Sequence, residues 1–156
     1  MNIKRILVLV VLPLLMTGAL VGFINKSDAK AMETAPADGV GIQFFHGTFA
    51  EAKALAKSQD KLIFVDAYTT WCGPCRLMAS QTFTQPSVGE YFNKNFVNLK
   101  MDMESGEGVA FGSQYKVMAY PTLLFLDHNG AVKVRAMGAK PAQELINVGK
   151  DALSQK

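Results

Sequence analysis

The sequence predicts an α/β domain with a central mixed β-sheet and helices on both faces. Three observations carry this. Residues 62–67 (LIFVDA) and 96–101 (FVNLKM) are nearly continuous apolar runs of strand length, the pattern of strands buried on both sides. Helical segments lie between the strands, giving early β-α-β units and so a parallel core to the sheet. Near the C-terminus, Asp127-His128-Asn129-Gly130 separates TLLFL at 122–126 from an alternating segment at 131–137. Asn-Gly accepts positive φ and is a strong hairpin signal, so an antiparallel pair completes the sheet.

Taken in order, residues 41–45 (GIQFF) read as a short strand. Thr48-Phe49-Ala50-Glu51 fits a capping box, with a helix running to about Gln59 and Ala52, Leu55 and Ala56 on its buried side. The 62–67 strand follows, then residues 76–82 with helical character. Pro86-Ser87-Val88-Gly89-Glu90 starts another helix carried through Tyr91 and Phe92, ahead of the 96–101 strand. Residues 105–108 form a loop and 109–115 a short helix. After the hairpin, Gly138 breaks the pattern, and a last helix at 141–153 has Leu145, Ile146, Gly149 and Leu153 on one side. Phe44, Phe45, Phe64, Phe92, Phe96 and Phe125 are the aromatic core candidates.

The N-terminus is of another kind. Asn2-Ile3-Lys4-Arg5 is a basic start, followed by an uncharged apolar run of 19 residues at 6–24 and then by Ala29-Lys30-Ala31, a small-residue pattern suited to signal-peptidase cleavage. The run exceeds the roughly 7–15 residues of an ordinary signal core and approaches the ~20 that span a bilayer. Residues 1–31 are therefore expected to be a signal peptide or an uncleaved anchor, 32–40 (MET to DGV, rich in Ala, Pro and Gly) a linker, and 41–156 the domain. On either reading the domain is exported, with any membrane contact made only through 6–24.

This segment also accounts for the basic balance. The chain carries 16 Lys and Arg against 13 Asp and Glu, but Lys4, Arg5, Lys26, Lys30 and Asp28 precede residue 32, leaving 12 of each sign in the rest. No basic cluster remains, and nucleic acid is not an expected partner.

TTWCGPCRLM at 69–78 holds both cysteines of the chain, Cys72 and Cys75. A bridge between them closes a loop too small to remove much chain entropy, and a domain of this length has no need of a staple. A zinc site needs about four ligands, and beyond this pair only His46 and His128 are at hand, both more simply turn residues. Redox chemistry fits better. The pair follows a buried strand and opens a helix, where N–H groups favour negative charge and lower a thiol's pKa. Cys72 should sit near the surface, Cys75 one turn further in, more buried and less acidic. Pro74 suits the first helical turn. Trp71, next to the nucleophile, reads as an exposed lid. Asp66 stands inside an apolar run, where burial raises a carboxyl's pKa towards neutrality. Alternation leaves Lys100 equally able to face it or the solvent.

Trp71-Cys72-Gly73-Pro74-Cys75 resembles the active-site motif of the thioredoxin family, and the likeness extends over about 41–154. The resemblance implies the thioredoxin fold and thiol–disulfide oxidoreductase activity with no cofactor beyond the Cys72–Cys75 disulfide. It places Asp66 on the buried acid beneath the resolving cysteine, Lys100 on the lysine facing that acid, Tyr120-Pro121-Thr122 on the cis-proline loop and Gly138 on a glycine lining the substrate groove. Trp71, Gly73, Pro74, Tyr120, Pro121 and Gly138 are thus the implied substrate-binding residues, and Cys72, Cys75, Asp66 and Lys100 the catalytic ones. The stretch 82–88 (TFTQPSV) is more similar to exported thioredoxin-like domains, among them the periplasmic C-terminal domain of the transmembrane disulfide reductase. Tyr68-Thr69-Thr70 and Tyr120 depart from the usual residues of the family.

The implied function is reduction of disulfides in periplasmic substrate proteins, recharged by a membrane-embedded thiol donor. An oxidase or isomerase of the same compartment and a non-catalytic interaction module are the alternatives.

Overall fold

A computed structural model of the chain describes residues 40–156. The expected signal or anchor and all but the last residue of the linker lie outside the described residues.

The described chain begins with helix α1 (Phe49–Ser58), strand β1 (Leu62–Tyr68) and the short helix α2 (Gly73–Leu77), which runs into a π-helical turn at Met78–Thr82. Helix α3 (Pro86–Asn95), strand β2 (Phe96–Asp102) and helix α4 (Gly108–Gln114) follow, then strands β3 (Thr122–Leu126) and β4 (Val132–Met137) and helix α5 (Ala142–Ser154). Local chemistry sets these boundaries. The capping box forms: Thr48 Oγ1 accepts from the Glu51 N–H at 3.2 Å, and the Glu51 carboxylate accepts from the Thr48 N–H at 2.8 Å. Proline occupies the first turn of both α2 and α3, where no N–H is missed.

The sheet order is β2-β1-β3-β4. β1 pairs in parallel with β2, while β1–β3 and β3–β4 are antiparallel, so the parallel core is a single strand pair. Helices cover both faces, each over its own apolar cluster. One joins Ile63, Val65 and Leu124 to Ala52 and Ala56 of α1 and Phe111 of α4. The other joins Phe64, Phe96 and Phe125 to Val88 and Phe92 of α3 and Leu145 and Ala152 of α5. Alternation along β1 divides its side chains between the two.

The sequence misleads at 41–45, which forms no strand. Its backbone partners are mostly side chains: Asn93 Oδ1 accepts from the Gln43 N–H at 2.8 Å, Asn93 Nδ2 donates to the Gly41 carbonyl at 3.0 Å, and Asn98 Nδ2 donates to the Gln43 carbonyl at 3.2 Å. The Phe45 N–H alone bonds the β2 backbone, at the Asn98 carbonyl 2.7 Å away, and the Ile42 N–H donates to the Phe83 carbonyl at 2.7 Å. Phe44 and Phe45 are accordingly half-buried, each packed against a different cluster, and Leu55 is half-buried rather than enclosed. Among the described residues, no helix is long and apolar enough to cross a membrane.

Candidate active site

Because β1 and β2 run in parallel, their C-terminal ends lie side by side, with Tyr68 opposite Asp102. The chain leaves β1 at Tyr68 and reaches Cys72 four residues on, so the cysteine pair sits on that edge of the sheet. Cys72 is the N-cap of α2, its Sγ accepting from the Cys75 N–H at 3.1 Å. A donor in that position favours a Cys72 thiolate once the pair is reduced. The structure holds the pair as a disulfide, with S–S 2.07 Å.

In this oxidised form the expected contrast in burial is missing: Cys72 is 3% exposed and Cys75 4%. With the bridge formed, both sulfurs lie beneath the neighbouring side chains. The remaining asymmetry is one of position, Cys72 outside the helix as its cap and Cys75 within it. Gly73 and Pro74 between them are exposed, and a Cβ added at Gly73 would meet nothing within 4 Å.

Asp66 and Lys100 are register partners on the adjacent strands, so their side chains leave the sheet on the same face. Lys100 Nζ stands 3.9 Å from Asp66 Oδ2, and Asp66 is 1% exposed. Neither Asp66 oxygen accepts a hydrogen bond from the described residues. Burial therefore dominates and pushes the carboxyl up to about 7, with Lys100 opposing the shift. The lysine is too distant and too exposed, at 30% of its side chain, to cancel it. The ammonium also lies 4.7 Å from the Tyr68 ring centroid and 5.9 Å from that of Phe44, two aromatic faces that hold it over the acid.

On the other side of the pair, Trp71 is 62% exposed and meets Tyr120 edge to face, with ring centroids 5.9 Å apart. The Tyr120–Pro121 peptide bond is cis. Gly138 follows β4 at φ +79°, a conformation that favours glycine, and its N–H donates to the Pro121 carbonyl at 2.8 Å. The implied substrate-binding residues thus form one continuous rim from Trp71 through Tyr120 and Pro121 to Gly138.

Two features escaped the sequence reading. Glu104 accepts from the Trp71 indole N–H with both carboxylate oxygens at 3.0 Å and so fixes the ring. The signal was an acidic residue just past a strand that shares its C-terminal edge with the cysteine motif. The second is Thr69, 1% exposed, with a hydroxyl that finds no hydrogen-bond partner. Two concavities adjoin these residues. The larger, about 490 Å³, lies along α4 and touches the rim only through Tyr120. The smaller, about 70 Å³, is lined by Cys75, Thr69, Tyr68 and Lys100, and is the one that reaches the chemistry. Among the described residues, no group of three or more His, Cys, Asp or Glu is placed to hold a metal ion.

The "Thioredoxin-like" family model matches residues 45–128. The chain belongs to the thioredoxin-like family. Thioredoxin-1 of Drosophila melanogaster is 39% identical over 77 residues, 49% of this chain and 67% of that protein. The thiol:disulfide interchange protein DsbD of Tatumella citrea is 35% identical over 86 residues, 54% of this chain but only 15% of that much longer protein. Among solved structures, a Bacteroides thetaiotaomicron protein described as a candidate disulphide-isomerase shares 47% identity with a TM-score of 0.67, over 76% of this chain and 98% of the other. Family membership together with the bonded Cys-Gly-Pro-Cys pair makes this chain a thiol–disulfide oxidoreductase.

Proposed function

We propose that the protein is an exported protein-disulfide reductase in which Cys72 attacks and Cys75 resolves. The carrying observation is the buried Asp66 carboxyl, held near neutrality by desolvation on the strand that delivers the cysteine pair. The reduced Cys72 thiolate attacks one sulfur of a substrate disulfide, forming a mixed disulfide and expelling the other substrate sulfur as a thiolate. Cys75 then gives its proton to the Asp66 carboxylate, and its sulfur attacks Cys72. The Cys72–substrate bond breaks, the second substrate sulfur leaves with the electron pair and takes a proton from solvent, and the Cys72–Cys75 disulfide forms. A carboxyl near 7 both accepts the proton and returns it at physiological pH. Lys100 tunes that balance.

The rim from Trp71 to Gly138 receives the substrate chain, with the Tyr120 backbone offering hydrogen bonds to an extended segment. Gly-Pro between the cysteines with an acid beneath them fits the reducing end of a range that spans about 150 mV, or about 7 kcal/mol. Reduction outside the cytoplasm requires an electron source, so a membrane-embedded dithiol donor recharges the pair, and no cofactor beyond the pair itself takes part. The basic-apolar start with Ala29-Lys30-Ala31 supports export to the periplasm, with tethering through 6–24 if cleavage does not occur. The match to part of DsbD, a thiol:disulfide interchange protein, agrees with that chemistry.

Titration of the pair against glutathione tests direction. A potential near about −270 mV supports a reductase; one near about −120 mV makes the protein an oxidant. The likeness to the candidate disulphide-isomerase favours isomerisation as a second reading, for which scrambled-disulfide refolding is the assay. Cys75→Ser should trap covalent substrate complexes, and failure to trap any while Cys72 still reacts with small disulfides would overturn the two-cysteine scheme.

A further inference from the structure

Thr69 follows the last residue of β1 and is enclosed beside the cysteine pair. Its carbonyl accepts from the Cys72 N–H at 3.2 Å, and its side chain is the unexplained part. Buried hydroxyls almost always have a partner, and one without a partner in a natural core calls for a reason. Here the residue lines the small cleft that also contains Cys75 and Lys100, and Lys100 in turn faces Asp66. The Thr69 hydroxyl and both oxygens of Asp66, three residues earlier in the chain, are buried without hydrogen-bond partners. A hydroxyl accepts and donates at once, which is what a proton path needs and what a methyl group cannot supply. The cleft, at about 70 Å³, has room for water to complete the path.

We propose that Thr69 is a positioning residue for the resolving step, its hydroxyl linking Cys75 through the cleft to the Asp66 carboxylate. The inference rests on the resolving role given to Cys75 above. In the mixed disulfide, the Cys75 S–H donates into the hydrogen-bonded path that the Thr69 hydroxyl anchors. One proton enters the path from sulfur and one leaves it to Asp66, so the hydroxyl is unchanged at the end. The Cys75 thiolate then displaces the substrate sulfur from Cys72. The charged and titratable groups around this path are Asp66 and Tyr68 of β1, Lys100 and Asp102 of β2 and Arg76 of α2, so the pH response belongs to the set.

The test separates the two thiols in time. One equivalent of 5,5′-dithiobis(2-nitrobenzoate) added to the reduced protein releases a first chromophore when Cys72 attacks and a second when Cys75 resolves. Thr69→Val keeps the shape and removes the hydroxyl. It should leave the first phase unchanged and slow the second by about tenfold or more at neutral pH. The difference should vanish at alkaline pH, where Cys75 ionises unaided, and Thr69→Ser should restore the wild-type profile. Equal second phases in wild type and T69V across pH would overturn the proposal. So would a loss in T69V that is uniform with pH, that affects both phases alike, or that Ser does not rescue. A wild-type protein lacking a second phase would instead refute the resolving role of Cys75 itself.

Discussion

Replacing Asp66 by Asn should make the oxidised protein more stable at neutral and alkaline pH and leave it nearly unchanged in acid. The carboxyl titrates at about 7 in the fold, against 3.8 when unperturbed. A group whose folded pKa is raised binds more protons folded than unfolded, so stability falls as pH rises between the two values. At about 1.4 kcal/mol for each pH unit, the interval from 3.8 to about 7 corresponds to a loss of about 4 kcal/mol, complete just above pH 7. That is a large share of the roughly 5–15 kcal/mol that holds a typical domain together. Asn matches the protonated acid in size and polarity but never ionises, and the disulfide form leaves no thiol to titrate. Denaturant unfolding of both proteins from pH 4 to 8.5, with fixed slope, measures the difference directly. The two curves should coincide near pH 4 and separate through pH 7. Parallel curves over the whole range would mean that Asp66 ionises freely in the fold, and the reasoning from burial would fail.

Lys100→Met removes the cation that opposes the shift, so the Asp66 carboxyl should titrate still higher, as followed by its carbonyl ¹³C signal; an unmoved titration would show the ion pair to be idle. Glu104→Ala removes the acceptor and should free the indole: Trp71 is the sole tryptophan of the sequence, so its fluorescence anisotropy should fall, while stability changes by under about 1 kcal/mol because the contact is exposed. Asn93→Ala strips partners from the Gly41 carbonyl, the Gln43 N–H and Asn98, and should cost about 2–3 kcal/mol in unfolding, with faster exchange of the Gln43 amide.

The local elements were legible because each depends on a few neighbouring residues. The capping box at Thr48 and Glu51, the prolines opening α2 and α3, and the Asn-Gly turn all act within four residues of sequence. The strands LIFVD and FVNLKMD were legible from composition, since only a doubly covered strand tolerates so much apolar surface. Gly41–Phe45 was misread because its partners are Asn93 and Asn98, about 50 residues away, and a side chain that imitates a strand leaves no periodicity. Lys100 could not be assigned a face until the register opposite Asp66 was known. Glu104 and Thr69 were missed as site residues for a related reason. Their significance comes from the shared edge of β1 and β2, and neither belongs to a motif. The near-equal burial of Cys72 and Cys75 comes from the tertiary packing around the bridge, about which the order of residues is silent.

The proposed exchange reaction depends on a division of labour between two sulfurs. The most direct measurement is competitive alkylation of the fully reduced protein at pH 7, with each cysteine followed by mass spectrometry. Cys72, at the helix cap, should be modified at least about tenfold faster than Cys75. Equal and slow modification of both would contradict the assignment of attacker and resolver.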